Sequence, residues 1–86
     1  MGEWKSYRNS NPTTGVIRYK IGEDHEYIDI EFAHVSNQIY RYKKNVIGEE
    51  SLEEMITLAV RGDGLSTYIN QHPEVRYGFT LIETAA

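Results

Sequence analysis

Asp29 and Glu31 are the residues of this chain whose type and spacing come nearest to chemistry. They lie two positions apart in an alternating segment, so on an extended backbone they share a face, with Cα atoms roughly 6.5–7 Å apart. Two carboxyls so placed can act as acid and base across a glycosidic bond. The same residues have a plainer use. Arg18 and Lys20 precede them, and Arg41 and Lys43 follow, at matching positions of neighbouring segments. Paired antiparallel, the three segments form a basic, acidic, basic set in which each cross-strand pair contributes about 0.2–1 kcal/mol. Both carboxyls therefore have cationic partners to hand, and a chain this short shows no aromatic groove for a sugar. We expect no catalytic residues.

Metal and cofactor chemistry find no better footing. His25, His34 and His72 fall in a turn, a loop and a helix end, without the i, i+4 spacing or carboxylate neighbours of a metal site. The absence of cysteine excludes disulfide staples and thiolate zinc. Gly62-Asp63-Gly64 lacks the lysine of a phosphate loop and the ligand ladder of a calcium loop, and reads as a connector. No metal and no cofactor is expected. Met1-Gly2 with Ser6 matches the loose myristoylation pattern, but Glu3 and Trp4 read as the approach to a strand.

At 86 residues the chain is expected to form a single domain, 1–86, whose stability rests on packing around a thin core. No apolar run nears the ~18 residues of a membrane span, and the N-terminus lacks the apolar core of a secretory signal. A cytoplasmic location without membrane partners is the expectation. The net charge is −4, which argues against a protein devoted to gripping phosphates. That charge is unevenly spread: residues 1–48 carry seven Lys/Arg against six Asp/Glu, and residues 49–86 carry two against seven.

The elements that position these groups follow from period and punctuation. Trp4 to Arg8 is a short strand-like segment, followed by a turn-rich stretch from Asn9 to Gly15. Val16 to Ile21 alternates, with Ile17, Tyr19 and Ile21 on one side and Val16, Arg18 and Lys20 on the other. Tyr27 to Phe32 puts Ile28, Ile30 and Phe32 opposite Tyr27, Asp29 and Glu31. After a loop through His34 and Asn37, Gln38 to Lys43 sets Tyr40 and Tyr42 against Ile39, Arg41 and Lys43. Ser51-Leu52-Glu53-Glu54 has the form of a capping box and predicts a helix start. Leu52, Met55, Ile56, Ala59 and Val60 then make an apolar stripe, stopped by Gly62. Leu65, Tyr68 and Ile69 share a face of a second, shorter helix ending near His72-Pro73, and Phe79 to Ile82 alternates as a last strand.

The fold class expected is therefore α+β: an antiparallel β-meander of three to four strands with one face covered by two C-terminal helices. The inward set, including Tyr40 and Tyr42, meets the helical stripe. The outward set is charged. A competing arrangement flips the strand from Gln38 to Lys43, bringing Tyr40 and Tyr42 beside Tyr27 as a stacking platform for unpaired bases. That flip removes two aromatics from a small core and breaks the charge pairing. Arg18, Lys20, Tyr27, Arg41 and Lys43 are the candidate partner-binding or nucleic-acid-binding face.

Taken in order, Gly15-Val16-Ile17-Arg18-Tyr19, Ile30-Glu31-Phe32, Tyr40-Arg41-Tyr42, Leu58-Ala59 with Gly62 and Gly64, Tyr68-Ile69-Asn70 and Val75-Arg76-Tyr77 resemble the KTSC domain. The resemblance covers roughly residues 10 to 77. That family is named for a C-terminal domain of certain lysyl-tRNA synthetases and also occurs as small stand-alone bacterial proteins. What the resemblance implies is a compact meander-plus-helices domain with no catalytic set. A non-enzymatic binding or protein-interaction module is the functional expectation, with RNA or single-stranded nucleic-acid binding through the open sheet face as the alternative. Unprotected edges of the meander add self-association as an expected partner mode.

Overall fold

The computed structural model describes residues 3–8, 15–32 and 38–83; the expected loops at 9–14 and 33–37, His34 and the Met1-Gly2 end lie outside them. Five strands, β1 (Lys5–Ser6), β2 (Val16–Ile21), β3 (Tyr27–Phe32), β4 (Gln38–Lys43) and β5 (Phe79–Glu83), form one antiparallel sheet in chain order. Between β4 and β5 run four helical segments: α1 (Lys44–Ile47), α2 (Glu49–Arg61), α3 (Leu65–Gln71) and α4 (Pro73–Arg76). The fold is α+β, as the alternation and the helical stripe predict. Its sheet has one strand more than expected, and α1 and α4 are single turns added to the two anticipated helices.

Alternation decides which side of the sheet is dry. Tyr19, Ile28, Ile30, Phe32 and Tyr42 are buried and join Leu52, Met55, Ile56 and Ala59 of α2 and Leu65 and Ile69 of α3 in one core. Tyr40 packs against that core, half-buried. Both tyrosines of β4 thus lie on the helix side, and the flipped arrangement is not adopted. One facing is reversed. Val16 is 1% exposed while Ile17 is only half-buried, because a bulge between Val16 and Arg18 inserts a residue, pairing Val16 with Phe32 and Arg18 with Glu31.

The helices differ from the sequence reading at the start of α2 and in its buried stripe, while its stop at Gly62 is as expected. Ser51 does not cap it; the helix begins two residues earlier at Glu49, behind Gly48, whose φ of 94° lets the chain reverse out of α1. Glu49 and Glu50 then occupy the first turn, where carboxylates favour the helix dipole. Val60 is 65% exposed, and Leu58 is buried in its place. Counted at 3.6 residues per turn, Val60 sits about 40° beyond Ile56, past the buried arc, whereas Leu58 turns toward the α3 side. At the other end Gly62 adopts φ 80° and donates its N–H to the carbonyls of Leu58 and Ala59 at 2.9 and 3.1 Å. A Cβ at Gly62 would overlap that of Arg8, so the approach of the N-terminal segment also requires glycine there.

Tyr7 ties that segment to the helical layer. It is buried, its N–H donates to Ile17 carbonyl at 2.9 Å, and its hydroxyl accepts the Leu65 N–H at 3.1 Å. The first amide of α3, behind Gly64 with no side-chain cap, is satisfied this way.

Candidate functional site

The outer sheet face carries every residue singled out as a candidate binding group. Cross-strand register sets Lys20 against Asp29 and Asp29 against Arg41, while Arg18 opposes Glu31. Asp29 is 2% exposed. Its carboxylate accepts Arg41 Nε at 2.8 Å and Nη2 at 3.0 Å, a two-pronged pair, and Lys20 Nζ lies 3.9 Å away. Those hydrogen bonds from Asp29's side hold the Arg41 guanidinium proton more firmly than usual, against the opposing pull of partial burial. Arg18 Nε is paired with Glu31.

Aromatic rings extend this lattice. Arg41 Cζ sits 3.9 Å from the centroid of Tyr27, and Arg18 Cζ and Lys20 Nζ lie 4.4 and 5.5 Å from that of Trp4. Across the strands the order is Trp4, the cations of β2, the carboxylates of β3 and then Arg41 of β4, whose guanidinium lies over Tyr27, two residues before Asp29 on β3. Lys43 differs from the sequence reading: its register partner is Tyr27, not an acid, and it makes no ion pair with the described residues. Trp4 was the residue that sequence reasoning passed over. Ser6 pairs with Arg18, so stepping back two places along the strand was enough to put Trp4 on the charged face.

For acid/base chemistry the arrangement offers little. Asp29 and Glu31 do share a face, but the first is buried under two cations and the second is held by Arg18. No group of three or more His, Cys, Asp or Glu that could hold a metal ion occurs among the described residues. His25 reaches Glu53 of α2 through Nδ1 at 3.0 Å, and His72 stacks on Tyr68 with centroids 4.0 Å apart. A hollow of about 420 Å³ at the tip of the β2–β3 hairpin is rimmed by Glu3, Lys5, Glu23 and Asp24, exposed side chains of both signs.

The inner face holds a concavity of a different character. A groove of about 350 Å³ opens between β3–β5 and α3. Its sheet side is aromatic: Phe32 meets Tyr40 edge-on at 5.1 Å, and Phe79 lies 4.5 Å from Tyr40 and 6.3 Å from Tyr42. Ser66 and Asn70 of α3 supply polar groups, and Arg76 and Tyr77 close one end. Tyr77 is 73% exposed with Arg76 Cζ 5.5 Å from its ring, and Leu81 of β5 is 49% exposed. Burial, and secondarily the neighbouring Tyr40, pushes the Tyr42 phenol well above its ordinary range, so it stays protonated at the base of this groove. The mixture of apolar floor and a few polar groups is what small binding clefts are made of.

Comparison with protein-family models, with curated proteins and with solved structures finds no match to this chain. No helix among the described residues is long and apolar enough to cross a membrane.

Proposed function

We propose that this chain is a small KTSC-like, non-enzymatic protein-interaction module of the cytoplasm, which meets its partner on the side of the sheet bounded by β5 and α3. The observation that carries the reading is the contrast between the two faces. On the outer face, Arg18, Lys20 and Arg41 are spent on Glu31 and Asp29, the rings of Trp4 and Tyr27 are already covered by cations, and Lys43 is the one cation of the five candidate residues without an ion pair among the described residues. Bases need free rings to stack on and phosphates need free cations. On the inner face, the groove with Tyr40 and Phe79, and the exposed Tyr77 and Leu81, leave apolar surface open. Tyr19, Ile30, Phe32, Tyr42, Ala59 and Ile69, which lie in the sequence motifs that resemble the KTSC domain, are core residues.

The test pits the two faces against each other. Short RNA and DNA oligomers are titrated at low salt while backbone amide shifts are followed. Arg18, Arg41 and Lys43 should not move. Saturable movement of those three amides would replace this reading with nucleic-acid binding.

A further inference from the structure

The geometry points to an extended peptide as the ligand of this side, added antiparallel to β5 with an apolar side chain over the groove and its C-terminal carboxylate at Arg76. This deepens the interaction-module reading and rests on it. Strand order leaves β5 at an edge, so one side of its five-residue backbone has no partner strand among the described residues. The other edge, β1, is only two residues long. Natural edges are usually guarded by lysine, proline or a bulge, yet β5 reads Phe79-Thr80-Leu81-Ile82-Glu83 and pairs with β4 without a register shift. Such a strand is a template for another.

Side chains next to that edge select what can be added. Phe79 and Leu81 pair with Tyr42 and Tyr40 in the register, so both sit on the inner face beside the groove. An incoming strand about 4.8 Å away would bring alternate side chains alongside them, over the aromatic floor. Apolar residues at those alternate positions fit.

Direction and charge then place the carboxylate. Every neighbouring pair in this sheet is antiparallel. An added strand obeying the same rule runs its carboxyl end toward Phe79, and Arg76 and Tyr77 lie just before that residue. Arg76, the one basic residue lining the groove, has no carboxylate among the described residues and rests on the Tyr77 ring. Arg18, Arg41, Lys20 and Lys44 each have one, and Lys5, Arg8, Lys43 and Arg61, which have none among the described residues, lie away from the groove lining. One carboxylate suits one guanidinium. A polyanionic partner would be repelled by the net charge of −4, which favours a single terminal charge over an acidic tract or a nucleic acid.

The probe is a pool of acetylated seven-residue peptides, threonine at alternate positions and each apolar residue in turn between, made as free acids and as C-terminal amides. Titration into the full chain should shift the amides of β5 together with Ser66 and Asn70. The free acids should bind about tenfold tighter than the amides, and Arg76→Gln, an exposed substitution, should erase that difference. If β5 shifts but acid and amide bind alike, the carboxylate assignment is wrong and the interaction-module reading stands. If no peptide shifts β5 while oligonucleotides move Arg18 and Arg41, both fall. A dimer by light scattering that Leu81→Lys converts to monomer would give the edge to a second copy of the chain and overturn the peptide.

Discussion

Asp29→Ala offers the most direct measure of whether the outer face is a stabilising lattice. The lost carboxylate is 2% exposed and accepts two hydrogen bonds from Arg41, with Lys20 3.9 Å away. Removing one partner of a buried ion pair costs about 3–5 kcal/mol, because the other charge is stranded. The Arg41 side chain is 27% exposed and keeps its seat on Tyr27, so water can reach the released guanidinium and the cost falls to about 2–3 kcal/mol. In a domain of this size each kcal/mol moves the midpoint by about 4–8 °C, giving a loss of about 10–20 °C by circular dichroism. Glu31→Ala is the control. Its pair with Arg18 has side chains 19% and 40% exposed, and its loss should cost about 0.5–1 kcal/mol. Urea denaturation of Asp29→Val, Arg41→Leu and the double variant completes a cycle, in which the double variant should recover much of the loss. An Asp29→Ala loss below about 0.5 kcal/mol, or strictly additive effects in the cycle, would refute the reasoning.

Three further outcomes follow from single contacts. Tyr42 has its folded-state pKa raised, so the unfolded chain gives up that proton first and stability, intact below the free phenol's pKa, falls as pH rises past about 10, by up to about 1.4 kcal/mol per pH unit; Tyr42→Phe should flatten that alkaline slope in urea titrations at stepped pH. Gly62→Ala meets both a positive φ and the Cβ of Arg8, whereas Gly64→Ala meets the strained φ with its nearest atom at 3.4 Å, so Gly62→Ala should be the costlier by at least about 1 kcal/mol in the same assay. Tyr7→Phe leaves the Leu65 amide without its acceptor at a buried helix start and should cost about 1–2 kcal/mol, with faster hydrogen exchange at Leu65 as its local signature.

Period-two alternation made the meander legible because the inner positions of the central strands are mostly buried, although Asp29 and Ile39 on the opposite face are buried as well. The same rule failed at Val16, since a bulge shifts the count by one and leaves no mark on composition. Ser51 looked like a cap on residue types alone, but the turn out of α1 through Gly48 started the helix earlier, and backbone reversal outranked the box. Choosing Val60 over Leu58 was an error of width: the buried arc of α2 is set by where α3 docks, which no local pattern states. Charge order alone pairs Lys43 with an acid, whereas the register pairs it with Tyr27. The charged face was thus legible in kind. The groove was not, because its lining is drawn from β3, β4, β5 and α3 together, a matter of tertiary spacing.

The division of labour between the faces has one physical origin. A thin core leaves little surplus stability, so the solvated side of the sheet has to contribute, and here it does so by burying Asp29 between cations that are themselves roofed by Trp4 and Tyr27. Groups committed in this way cannot also bind a ligand without giving up what holds the strands together. The β5 side carries no such duty. Phe79 packs partly buried against the core, Leu81 beside it and Tyr77 are exposed, and Arg76 holds no carboxylate among the described residues. Recognition is therefore cheapest at the last strand, where new contacts add to the fold rather than compete with it.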